Sequence, residues 1–275
     1  CFNCGFATGW SEGRQISGRL RQLLKTLGVD ESDIQRVNLE LMREEELNNL
    51  HRRTIERAEN VVIDWPDAQL PPNAKSILDL VSIDSKVEAA LQYIASRKLD
   101  TLADWHFSDF THFKDRIILP FTYKGKIVGS TARWVGETPN KETPKYYMNM
   151  PKDFVFNMDA QKDRHYVIVT EGQFDALVTG GVAVGGNACS RRQADIIDSL
   201  NKEVIVLPDF DVAGRTLVNR AVERGWAVSF PPWENCKDAM DALAKYGRMY
   251  TVKSILDNKN ISATKIKVLM KQYCR

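Results

Sequence analysis

A chain of 275 residues has room for one large domain or two smaller ones, and 43% apolar with 27% charged residues is the make-up of a globular protein. No run of about eighteen apolar residues occurs, which excludes a membrane-spanning helix and leaves no membrane partner to expect. The net charge of +2 is near neutral, but its distribution is not: residues 114–152 hold eight Lys or Arg against three acids, and residues 171–241 hold eleven acids against seven bases.

A basic segment feeding an acidic one is what an enzyme of nucleic acids needs. Five scattered cysteines, an odd number, argue against a disulfide framework and for a reducing compartment. No secretory signal is read, so a cytoplasmic location is expected.

The chain starts at Cys1, not Met, and is read as a fragment or a processed product. Cys1-Phe2-Asn3-Cys4-Gly5 has the form of one zinc-ribbon knuckle, with Gly5 permitting the turn that aims two thiolates at one ion. Tetrahedral zinc needs two more ligands, so Cys1 and Cys4 are expected as a partial site, the closing half of a ribbon. Two free cysteines at a frayed end are the alternative.

Residues 17–57 carry a helical pattern, with Leu20, Leu23, Leu24 and Leu27 on one stripe and a stop at Gly28. Arg14, Arg19, Arg21 and Lys25 either touch nucleic acid or form a solvated face. Residues 61–76, with Trp65-Pro66 and Pro71-Pro72, read as a linker.

A second unit starts near Ser85 with an amphipathic helix over 87–97, followed by a short helix from Leu99 entering a strand at Phe107. Arg116 to Phe121 and Lys126 to Trp134, around a turn at Lys124-Gly125, predict a β-hairpin. Thr143 to Asn149 closes this unit.

From Tyr166 the pattern changes to short apolar runs alternating with helices, as in a doubly wound parallel sheet. Tyr166 to Thr170 ends at Glu171-Gly172 with Asp175 beyond, and Val204 to Leu207 ends at Asp209-Phe210-Asp211. Acids at strand ends lie at the carboxyl edge of such a sheet, where open α/β folds place their sites. Glu171, Asp209 and Asp211 are expected to converge there, and close carboxylates call for a hard divalent cation between them.

Between these motifs, Gly181 to Gly186 reads as a short buried strand and Ser190 as the cap of a helix running to Leu200. Asn187, Ser190, Arg191 and Arg192 sit at that strand-to-helix junction, a place that favours phosphate. A helix over 213–225, a strand over 227–230 and a helix opened by Lys237-Asp238 and running to Tyr246 follow, with Asp241 one turn in. Residues 251–275 read as a short basic helical tail.

The ordered pair of a Glu-Gly turn and an Asp-x-Asp, each after a strand, resembles the Toprim domain of DnaG-type primases, topoisomerases and some nucleases. The preceding run sharpens this to DnaG-type primases. Ala90-Leu91-Gln92-Tyr93-Ile94, the Arg116 to Pro120 strand, Gly129 to Arg133 and Pro144-Lys145-Tyr146 resemble their basic subdomain, and Cys1 to Gly5 the closing knuckle of their ribbon. The spacing from Asp238 to Asp241 is closer to T-even phage primases, and a bacteriophage origin in a bacterial host cytoplasm is expected. Gly172-Gln173-Phe174 departs from the Gly-Tyr-Met of bacterial enzymes without removing an acid.

The resemblance implies an α/β fold with four parts: a zinc-ribbon remnant, helices and linker over 1–76, an α+β basic subdomain over 77–160, a Rossmann-like Toprim domain with a mainly parallel sheet over 161–250, and a tail over 251–275. It implies primer synthesis from ribonucleoside triphosphates on single-stranded DNA, with a replicative helicase and a single-strand-binding protein as partners. Glu171, Asp209, Asp211 and Asp238 would hold magnesium or manganese, with Asp175 as a further ligand or an orienter. Zinc would bind only to a complete ribbon. Arg116, Arg133, Lys145 and Tyr146 would line the nucleic-acid and nucleotide channel. A Toprim nuclease and a non-catalytic single-strand-binding replication component are the alternatives.

Overall fold

The computed structural model describes residues 6–10, 15–42, 61–80, 84–135, 143–186 and 188–275. Cys1, Cys4, Arg14, Asn187 and the charged stretch 43–57 lie outside the described residues. The chain divides into two units, Cys1–Glu56 and Arg57–Arg275.

The first unit carries helix α1, Gly18–Thr26, and a second helix, α2, described over residues 31–42. Ser17 caps α1 by accepting from the Leu20 N–H, and Gly28, at φ 84°, ends it in a left-handed turn that only glycine adopts freely. Arg21 and Lys25 both pair with Glu31, so two of the bases offered as nucleic-acid contacts tie α1 to α2.

Among the described residues, the second unit holds two five-stranded sheets. The first is antiparallel: β1 Lys75–Ser76, β2 His106–Phe107, β3 Arg116–Tyr123, β4 Lys126–Trp134 and β5 Tyr146–Asn149, in that order. The expected hairpin is β3–β4, turning at Lys124 (φ 50°) and Gly125 (φ 75°). Helix α3, Ser85–Ser96, is capped by Asp84 and buries Val87, Ala90 and Ile94.

The second sheet joins β6 Tyr166–Thr170, β7 Val182–Ala183, β8 Glu203–Val206, β9 Ala227–Ser229 and β10 Lys259–Asn260, ordered β10-β9-β8-β6-β7. The pairings β6–β7, β6–β8 and β8–β9 are parallel, and β10 runs antiparallel on the edge. Period-2 alternation sends the β6–β8 side chains to opposite faces. Ile168 and Ile205 pack with α4 (Gln173–Thr179), α7 (Ala239–Tyr246) and α8 (Arg248–Asp257). Val167, Val169, Val204 and Val206 pack with α5 (Arg191–Asp198), α6 (Arg215–Arg224) and α9 (Ala263–Tyr273). Runs apolar on both faces are what a covered parallel sheet requires, and no described helix is long and apolar enough to cross a membrane.

Three expectations are corrected. Residues 61–76 do not form a free linker: Trp65 packs edge-on to Tyr123 and Phe154, at 4.8 and 4.7 Å between ring centroids, and Ala68 N–H donates to Ile127 O at 2.8 Å. Residues 99–105 make turns, not a helix, closed by the Trp105 indole donating to Leu99 O at 2.9 Å. Residues 251–275 are not an appended tail. They supply most of α8, the edge strand β10 and α9, whose end buries Cys274. In each case tertiary burial decided what local composition left ambiguous.

Candidate active site

The loops after β6 and β8 lie side by side because those strands are hydrogen-bonded neighbours, with Val169 opposite Val206. Leu207 N–H extends the pairing to Val169 O at 2.9 Å. The next residues out are Glu171 on one strand and Asp209 on the other, and the Asp209 N–H faces Glu171 Oε1 at 3.4 Å.

Two glycines make this approach possible. A Cβ at Gly172 would stand 2.9 Å from Asp175 Oδ2, and one at Gly214 would stand 2.2 Å from Asp209 O and 3.2 Å from Glu171 Oε1. The helix starts can press against the acids only where no side chain intervenes.

Asp211 Oδ1 accepts from the N–H groups of Ala213 and Gly214, at 2.9 and 3.1 Å, ordering the turn into α6. Asp238 is the N-cap of α7 and accepts from Asp241 N–H at 2.8 Å, while Asp241 Oδ2 accepts from Lys237 N–H at 3.2 Å. Asp175, in the first turn of α4, accepts from Met240 N–H at 3.0 Å. Three separate stretches of chain, 171–175, 209–211 and 238, thus bring five of the predicted acids to one edge.

Their electrostatics show the crowding. Burial, then the charges of Asp209 and Asp211, pushes the Glu171 carboxyl up to about 7. Burial, then Asp238 and Asp211, raises Asp209 to about 6 against the pull of Lys237. Asp238 is raised mainly by burial, and Asp175 well above its ordinary value by burial and by Asp238 and Asp209.

Such mutually repelling oxygens fit a hard divalent cation, which would remove the repulsion. The side chains are not, however, closed on one point. Among the described residues no three His, Cys, Asp or Glu side chains stand together as a ready metal cage. The expected convergence holds for the loops and not for the rotamers, because Asp211 and Asp238 each spend an oxygen on backbone amides.

A basic cluster faces the acids. Arg133 and Tyr146 are cross-strand partners on β4 and β5, and the Arg133 guanidinium also donates to the Tyr146 hydroxyl. It sits over the rings of Tyr93, Tyr146 and Phe174 at 5.4, 5.0 and 5.3 Å. Phe174 adjoins Asp175, so the aromatic cradle links the basic sheet to the acidic edge. Burial, then the charges of Arg133, Lys237 and Arg97, lowers the Lys145 ammonium, with Asp238 opposing.

Arg116 is a correction. It is 1% exposed, donates to the carbonyls of Ala132, Pro144 and Lys145 at 3.2, 2.5 and 3.2 Å, and lies 3.9 Å from the centroid of the Tyr147 ring. It clamps β5 to β3 from inside and does not line a channel. Arg97 and Lys237 take its place in the basic cluster, each acting on both Lys145 and Asp238. Lys237 stood next to a predicted acid and was a legible signal. Arg97, the C-cap of α3, carries no sequence signal that sets it apart from any basic residue at a helix end.

No family model matches the chain. In sequence, it is 25% identical over 174 residues to the DNA primase of Aquifex aeolicus, a match covering 57% of this chain and 33% of that protein. The chain therefore spans about a third of that relative's length. In fold it is similar to the Escherichia coli primase catalytic core, at TM-score 0.53 and 18% identity, over 69% of this chain and 79% of that one. The RNA polymerase domain of Mycobacterium tuberculosis primase DnaG gives TM-score 0.56 and 18% identity over 82% and 91%. A DnaG catalytic domain bound to single-stranded DNA gives 0.52 and 19% over 69% and 77%. Part of the chain is thus similar in sequence to a DNA primase, and its fold is that of DnaG-type primase catalytic cores.

Proposed function

We propose that the chain carries the catalytic core of a DNA primase, joining ribonucleotides into short primers along a single-stranded DNA template. The observation that carries this reading is the apposition of the acid cluster of Glu171, Asp175, Asp209, Asp211 and Asp238 to the Arg97, Arg133, Lys145 and Lys237 cluster. Phosphoryl transfer needs just this pair of features, a charged cradle for the phosphates and acids beside it, and little covalent chemistry from the protein.

In this reading Arg133 and Lys145 draw the phosphates of template and nucleotide toward the edge of the sheet, and Tyr146 offers a ring face to a base. Asp175 fixes the start of α7 and so the placement of Asp238. A magnesium or manganese ion held by Glu171, Asp209, Asp211 and Asp238 would supply Lewis acidity, lowering the pKa of the attacking 3′-hydroxyl and neutralising triphosphate charge. A helicase and a single-strand-binding protein are the partners this role implies.

The test is primer synthesis on a mixed single-stranded template library with labelled ribonucleotides and magnesium or manganese, comparing the chain with Asp209→Ala and Asp211→Ala. Short RNA that disappears in both variants supports the proposal. Metal-dependent shortening of the template without RNA would move the assignment to a nuclease. Template binding with neither product would leave a non-catalytic binding component.

A further inference from the structure

A second charged feature lies in the helix layer opposite the Arg133 cluster. Arg133 reaches Phe174 of α4, in the layer that covers the Ile168 face of the sheet, whereas α5 and α6 cover the Val167 face. On that side a groove of about 600 Å³ is lined by Arg191, Arg192, Arg220 and Arg224, with Asp195, Glu223 and Val61.

The acids of the groove are already spent. Arg224 pairs with Asp195 at 2.7 Å and with the buried Asp198 at 3.1 Å, and Arg220 pairs with Glu223 at 2.5 Å while donating to Cys189 O at 3.0 Å. Those two arginines form a fixed wall. Arg191 and Arg192 are exposed at the start of α5 and face no carboxylate among the described residues; Arg192 donates only to the neutral carbonyl of Val62. Among the described residues, two positive charges therefore stand uncompensated at the mouth of the groove.

We propose that this groove is a second contact for the backbone of the single strand, with Arg191 and Arg192 each engaging a phosphate. The inference rests on the primase reading and extends it to a surface remote from the acids. The guanidinium fork matches phosphate oxygens in pairs. No aromatic ring among the described residues lines the groove, so none of them holds a base there by stacking. Val61 is the one apolar residue among the described residues that line it, so a peptide finds no buried anchor there of the kind that carries protein interfaces. What remains is sequence-blind attraction for a polyanionic backbone.

The test is fluorescence-anisotropy titration of a labelled single strand of about 30 nucleotides, longer than the site of one typical single-strand-binding fold, across a salt series. The proteins are the wild type, the Arg191→Ala/Arg192→Ala double variant and the Arg191→Lys/Arg192→Lys double variant. Removing two phosphate contacts takes about 1.4 from the log–log salt slope, so the wild type's advantage over the alanine variant shrinks about sevenfold between ~50 and ~200 mM salt. The lysine variant keeps most of the slope because the charge count is unchanged. Matching melting curves for all three would show that the folds are equal, as expected for exposed side chains.

An alanine variant with wild-type affinity and slope overturns the groove and leaves the primase reading intact. A wild type that binds no single strand at any salt overturns the primase reading itself. Polyglutamate binding that is lost in the alanine variant while DNA binding persists would assign the groove to an acidic protein and overturn the proposal.

Discussion

Asp175 Oδ1 accepts the backbone N–H of Met240 at 3.0 Å, joining the first turn of α4 to the first turn of α7 across 65 residues. The same carboxyl is raised by burial first, and then by the charges of Asp238 and Asp209. One side chain therefore both positions the third acidic loop and repels it. Asp175→Asn keeps an acceptor oxygen and drops the charge, so its melting temperature should equal or exceed that of the wild type at pH 7. Asp175→Ala orphans the Met240 N–H and should cost about 1–3 kcal/mol. If both variants melt alike, the hydrogen bond is not what holds α7.

The Glu171 carboxyl gives a pH signature. Its folded value, about 7, lies above its ordinary value, so the folded state binds the proton more tightly than the unfolded one. The stabilisation is complete below about pH 4.5 and is lost as pH rises to about 7, on the order of 3 kcal/mol. Melting curves of the metal-free protein should show this decline. Glu171→Gln should remove that part of it, and millimolar magnesium should offset it in the wild type. An identical decline in Glu171→Gln would show that other groups cause it.

Arg116 and Arg133 look alike in sequence and should separate cleanly in experiment. Arg116→Ala strips three carbonyls of a buried donor and opens a cavity, and should destabilise by about 3–5 kcal/mol. Arg116→Lys should recover little, since one ammonium cannot span three acceptors. Arg133→Ala should cost under about 1.5 kcal/mol in stability, the scale of its ring contacts. Its effect should fall instead on single-strand affinity and its salt dependence. Chemical denaturation with anisotropy titration on the same preparations decides the matter.

Trp65 tests the status of residues 61–76. Wedged between Tyr123 and Phe154, it should cost about 3 kcal/mol on truncation to alanine, close to the penalty for a core aromatic. A free linker would lose nothing measurable in urea denaturation.

How much of this was legible depended on the length and purity of each pattern. The β3–β4 hairpin, β6 and β8 were readable because their apolar runs end in unambiguous turn residues, and the acids at their ends followed from that. The two-residue strands β1 and β10 left no periodicity to read, and their pairing partners are distant in sequence. Arg116 was misread because sequence shows a guanidinium's charge but not the three carbonyls that enclose it. The rotamers of Asp211 and Asp238 were equally hidden, since an acid that caps a helix and one that binds an ion have the same spelling.

The loop bearing Asp209 and Asp211 rests on residues far along the chain. Tyr273 packs on Phe210 with ring centroids 5.2 Å apart, Cys274 Sγ lies 3.8 Å from Asp209 O, and Arg215 donates to Cys274 O at 2.8 Å. Contacts that close so long a stretch form slowly. As the ribosome delivers the chain, β6, β7 and β8 can assemble while this loop still lacks its backing. Asp209 and Asp211 should then acquire fixed positions only after β6, β7 and β8 have, so a stalled or clipped chain would carry that much of the sheet with this acidic loop unset.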